Sequence, residues 1–84
     1  MTDREREAIA ERVYSHPHVS DLLDEAHERF EVIDDDDEEA EDAADWVVDE
    51  LLEDDEVKGM WPTDGADILE VSRLVWHRVY SGLG

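Results

Sequence analysis

Cysteine is missing from this chain, and so are asparagine and glutamine. Without thiols it can form no disulfide framework, thiolate nucleophile or zinc–thiolate site. Glycine is scarce, at positions 59, 65, 82 and 84 only, and neither a phosphate-binding loop nor a GxGxxG turn can be assembled from them. The N-terminus, MTDREREAIAERVY, is charged from its third residue and has no apolar signal core, and no later apolar run is long enough to cross a bilayer. The expected location is the cytoplasm, or the interior of a viral particle, with no membrane contact.

Basic charge is the other scarcity. Lys58 is the one lysine beside six arginines, against 27 Asp and Glu, which leaves a formal net charge of −20 over 84 residues. The long-range field of such a chain repels phosphate, so direct binding of nucleic acid or anionic lipid through a basic patch is excluded. Charged partners are expected to be basic proteins, with only weak, non-specific accumulation of cations. An acid-rich, lysine-poor composition resembles the proteins of salt-accumulating halophilic archaea, a likeness to a class of proteomes. In molar salt the Debye length shrinks to about 3 Å, and self-repulsion is largely screened.

What remains is helical periodicity in one acidic domain spanning residues 1–84. A first helix over residues 2–15 starts at a capping box of Thr2 and Glu5 and carries a thin apolar stripe, Ile9, Ala10, Val13 and Tyr14. A second, capped by Ser20, runs to about residue 33 with Leu22, Leu23, Ala26, Phe30 and Ile33 in one arc. The third begins within the run DDDDEEAED, residues 34–42, whose carboxylates suit the turn before a helix and its first turn. It continues to about residue 56 on a stripe from Ala40 to Leu52, and Gly59 is placed to close it in a left-handed conformation. The fourth, capped by Thr63 or Asp64, extends to about residue 81 before Gly82, with Ile68, Val71, Val75 and Val79 central to a broad apolar arc. The fold class is therefore all-α: a small four-helix bundle or orthogonal helical array, or else a three-helix bundle with a loosely docked N-terminal helix.

Chemistry finds little support in the residues. His16 and His18 stand two apart at a proline, and a transition-metal site would need convergence of Asp21, His27 or His77. The calcium-loop pattern aligned on Asp54 places Lys58 and Gly65 at two ligand positions and fails there. No catalytic, cofactor-binding or metal-ligating residue is assigned, and the chain is not expected to be an enzyme.

The three tryptophans say more. Trp61, Leu69, Trp76 and Tyr80 mark the first candidate interaction surface, since an apolar arc this broad exceeds what a small bundle needs to bury. Trp46 marks the second: it projects about 100° from its helix's apolar stripe, among Asp42, Asp45, Asp49, Glu50 and Glu53. The expected function is a non-enzymatic protein–protein interaction or assembly subunit, self-associating or bound to a protein partner, for example a structural or connector component of a larger particle such as a virion. Two alternatives are a DNA-mimic inhibitor of a nucleic-acid-binding protein, its carboxylates standing in for phosphates, and a metal-binding protein.

Overall fold

A computed structural model describes residues 2–30 and 37–83, with Asp37 described through its backbone alone. Among these residues the chain is all helix: α1 (Asp3–Tyr14), α2 (Pro17–Phe30), α3 (Asp37–Glu53), the single turn α4 (Asp55–Lys58) and α5 (Gly65–Leu83). The expected residues 34–36 of the acidic turn, and Ile33 on the second apolar arc, lie outside the described residues.

The helix ends depart from the sequence reading in ways that side-chain hydrogen bonds explain. Thr2 caps α1 by accepting from the Glu5 N–H at 3.2 Å, while the Glu5 carboxylate takes the Thr2 hydroxyl at 3.4 Å. Helix α2 starts at Pro17, three residues before the expected Ser20 cap, because proline suits the first helical position, where its missing N–H costs nothing. Helix α3 does not reach residue 56. Asp54 leaves the helix with φ −81° and ψ 118°, and its carboxylate accepts from the N–H groups of Glu56 and Val57, so it caps α4 instead of continuing α3. Gly59 closes α4 in the right-handed region at φ −62°, not in the expected left-handed one. Asp64 does cap the last helix, accepting from Ala66 N–H at 3.0 Å, but Gly82 lies inside α5 and does not end it.

Helices α3 and α5 run antiparallel, since Asp45 meets Trp76 and Leu52 and Ile68 line one hollow. Helix α2 is antiparallel to α3, its start near Asp54 and its end beside Trp46. By contrast α1 and α5 are parallel: Arg6 bonds Asp67 near both starts, and Tyr14 abuts Gly82 near both ends. A Cβ on Gly82 would stand 2.5 Å from the Tyr14 hydroxyl oxygen, so the missing side chain leaves room for the tip of the Tyr14 ring against α5.

The thin first helix is thus firmly docked. Ala10 and Val13 are completely buried, which rules out the loosely attached alternative. Val71, Val75 and Val79 form the buried line of α5, facing Ala43, Ala44, Val47 and Leu51 of α3 and Ala26 of α2 within one core. Alanine and valine dominate, so the helices approach closely, and Leu51 is the largest side chain that is fully buried. No polar or charged side chain is buried among the described residues, and no buried polar atom lacks a partner.

The Asp54 cap carries a pH prediction. Hydrogen bonds from Val57 N–H, then Glu56 N–H, and the nearby His18 and His16 hold its carboxyl below the usual carboxylate range, against a smaller opposing effect of burial. A carboxyl depressed by folding contributes stability above its unfolded value and loses it as pH falls through the folded one. Helix α4 is therefore expected to loosen below about pH 4. Asp54→Ala should loosen it at neutral pH as well, read as faster amide exchange at Glu56 and Val57 with α5 unaffected.

Candidate functional site

Trp61 follows α4 in the loop that leads to α5, and it is not a surface residue. It is 6% exposed, packs into the core, and donates its indole N–H to the Ser72 hydroxyl at 3.1 Å. Trp61, expected in the first candidate surface, is thus turned into the core, where its apolar ring packs. Only an edge contributes to the outside. Together with Leu52, Pro62 and Ile68 it lines a hollow of about 300 Å³, with Lys58 and Thr63 completing the wall.

Leu69 follows Ile68 and points away from the core, 73% exposed. Among the described residues it is the single exposed large apolar side chain. At 100° per residue, Leu69, Arg73, Trp76 and Tyr80 fall within about 60° of arc, one line along α5. Trp76 and Tyr80 are half-buried and stacked, with ring centroids 5.1 Å apart and planes 16° from parallel. His77 meets the Trp76 ring edge-on at 5.3 Å. The Trp76 indole N–H donates to Asp45 Oδ1 at 2.7 Å, which fixes the ring against α3. Three of the four residues expected to form the first surface therefore do share a face, while the hollow beside Trp61 takes from α5 only Ile68, the residue before Leu69.

Trp46 stands elsewhere. It is half-buried beneath α2, tilted against Phe30 at 5.9 Å, with the Arg29 guanidinium 5.2 Å from its ring centre. Arg29 also bonds Glu25 one turn back at 3.2 Å. The indole expected among carboxylates is thus partly covered, by the end of α2. A cation over an indole face is a favourable contact in itself, and it occupies the face a basic partner would have used.

The histidines pair with acids, not with one another around a metal. His16 Nε2 lies 3.4 Å from Glu56 Oε1, and His18 Nε2 lies 3.4 Å from Asp54 Oδ2. His27 is exposed on α2 and His77 belongs to the Trp76 cluster, so neither joins them. Among the described residues no group of three or more His, Asp or Glu is placed to hold a metal ion.

Two further hollows are shallow and polar-rimmed. One, about 520 Å³, lies between α1 and α5 over Tyr14, Leu74 and Gly82; the other, about 370 Å³, lies between Asp45, Asp49 and Trp76. Sequence reasoning placed Leu52 in the buried stripe and missed it as a lining residue of the hollow. Nothing in the 3.6-residue period distinguishes Leu52 from its buried neighbour Leu51, and only the break at Asp54 uncovers it. No described helix is long and apolar enough to cross a membrane. Compared with known proteins, the chain matches no family model, no curated protein and no solved structure, and its function is read from its own surface.

Proposed function

We propose that this chain is a non-enzymatic interaction or assembly subunit working in a high-salt interior, and that it contacts its partner through the α5 line of Leu69, Trp76 and Tyr80 and the adjoining hollow. The exposure of Leu69 on the helical line that also carries Trp76 and Tyr80 is the observation that supports it. A lone exposed leucine is ordinary on any surface. Here it lies on the same line of α5 as a stacked aromatic pair, and aromatic residues on such a face are the usual anchors of interfaces.

The chemistry selects the partner. Carboxylates at Glu53, Asp55, Glu56 and Asp64 adjoin the recess in the chain and are exposed, so the complementary surface carries an apolar anchor flanked by Lys or Arg. In molar salt the charged part of such a contact weakens and the apolar part persists.

Two substitutions test this: Leu69→Arg and Trp76→Ala. Partner capture from source-cell extract in about 2 M KCl and self-association by light scattering are the readouts, with Glu25→Arg, on the exposed face of α2, as the control. Loss of the captured species or of the oligomer in both α5 variants, with retention in the control, is the expected outcome. A chain that stays monomeric and whose captured proteins are identical in all four forms would count against the reading. Capture confined to low salt would instead favour contacts made by carboxylates alone.

A further inference from the structure

The corner between α1 and α2 contains an unusual helix cap. Pro17 occupies the first position of α2, so His16 takes the capping place, and its ring nitrogen Nδ1 accepts the backbone N–H of His18 at 3.1 Å. This is the bond that a Ser or Asn oxygen normally makes to the second helical residue. An accepting nitrogen carries no proton, so the neutral ring has its proton on Nε2, the atom facing Glu56 Oε1 at 3.4 Å. Protonation can then occur only at Nδ1. It converts the acceptor into a donor aimed at another donor, and it places positive charge at the start of α2, where the helix dipole opposes it.

The surroundings make the opposite demand. Glu56 on α4 faces Nε2, Asp54 lies close enough to feel the charge of both rings, and His18 Nε2 stands 3.4 Å from Asp54 Oδ2. Tyr14, the titratable side chain of α1 nearest in the chain, is turned toward Gly82. The carboxylates thus favour the imidazolium that the cap rejects.

We propose that His16 is a proton-operated toggle: neutral, it caps α2 through Nδ1; protonated, it releases that cap and is held by the carboxylate of Glu56 at α4. Acidification then shifts the hold on this corner from one helix to the other.

The experiment is ¹⁵N NMR in molar KCl with two variants. In the wild-type chain at high pH, long-range imidazole spectra should show His16 with its proton on Nε2. In His18→Gln, which removes the second titrating ring, protection of the position-18 amide, corrected for its intrinsic exchange, should fall about fivefold between pH 8 and pH 5, the loss of one cap. Adding His16→Asn restores an acceptor that does not titrate, and protection should become flat with pH. A His16 proton on Nδ1 at high pH overturns the toggle. The same pH response in the single and double variants does so too, and the wild-type spectrum decides even if a variant fails to fold.

Discussion

Replacing Leu51 with alanine should remove a large share of the stability of this domain, while the same change at Leu69 should leave it intact. A chain of 84 residues has a net folding stability of about 4 to 13 kcal/mol. Truncating a fully buried leucine costs about 2 to 5 kcal/mol, from lost transfer energy and from the cavity left behind. Leu51 falls at the upper end because the buried cluster it belongs to is rich in alanine and valine, short side chains that cannot swing in to fill the gap. At about 4 to 8 °C per kcal/mol for a domain of this size, Leu51→Ala should lower Tm by at least about 10 °C. Leu69→Ala should shift it by no more than a few degrees, since surface changes stay within about 0.5 kcal/mol. Comparable shifts at the two sites would mean that the core is not arranged as described.

Potassium chloride should have an effect of similar size and opposite sign. The molecule measures 36 × 22 × 19 Å, and the net charge of −20 is carried on those dimensions. In about 0.1 M salt the Debye length is about 10 Å, so carboxylates on opposite flanks still repel across the fold; in about 1 M it is about 3 Å, and only adjacent groups interact. Few cations offset this. Among the described residues the arginine ion pairs are Arg6 with Asp3 and Asp67, and Arg29 with Glu25. Melting followed by circular dichroism should therefore rise by about 10 °C or more between these salt concentrations, corresponding to about 2 kcal/mol of relieved repulsion. Glu41→Lys combined with Asp42→Lys, both exposed on α3, should reduce that slope. A flat response in the wild-type chain would sink the high-salt interpretation.

Much of this architecture is legible in the sequence, for a physical reason: the buried line of α5, Val71, Val75 and Val79, recurs every four residues and needs no partner to be seen. What escapes is whatever depends on a second segment. The run Glu53, Asp54, Asp55, Glu56 reads as continuous helix because a carboxylate in a first turn and one at a cap look alike until the backbone bends. Trp46 looks stranded from its own helix, and only the arrival of Arg29 and Phe30 from α2 explains it. Trp61 looks like a contact residue because aromatic side chains are enriched at interfaces, whereas it is buried and bonded to Ser72. The α5 line survives from sequence to structure because it needs only one helix.

The parallel pairing of α1 with α5 has a mechanical consequence. Thr2 lies at the start of α1, beside the start of α5, whereas Leu83 lies at the far end of α5, a span of about 28 Å at 1.5 Å per residue. Tension applied through these two positions pulls the helices lengthwise past each other, so that Arg6–Asp67, Ala10, Val13 and the Tyr14–Gly82 contact are loaded together and not peeled apart one by one. Shear of this kind resists force better than unzipping, and a subunit tethered at both ends within an assembly would transmit strain along its long axis before yielding.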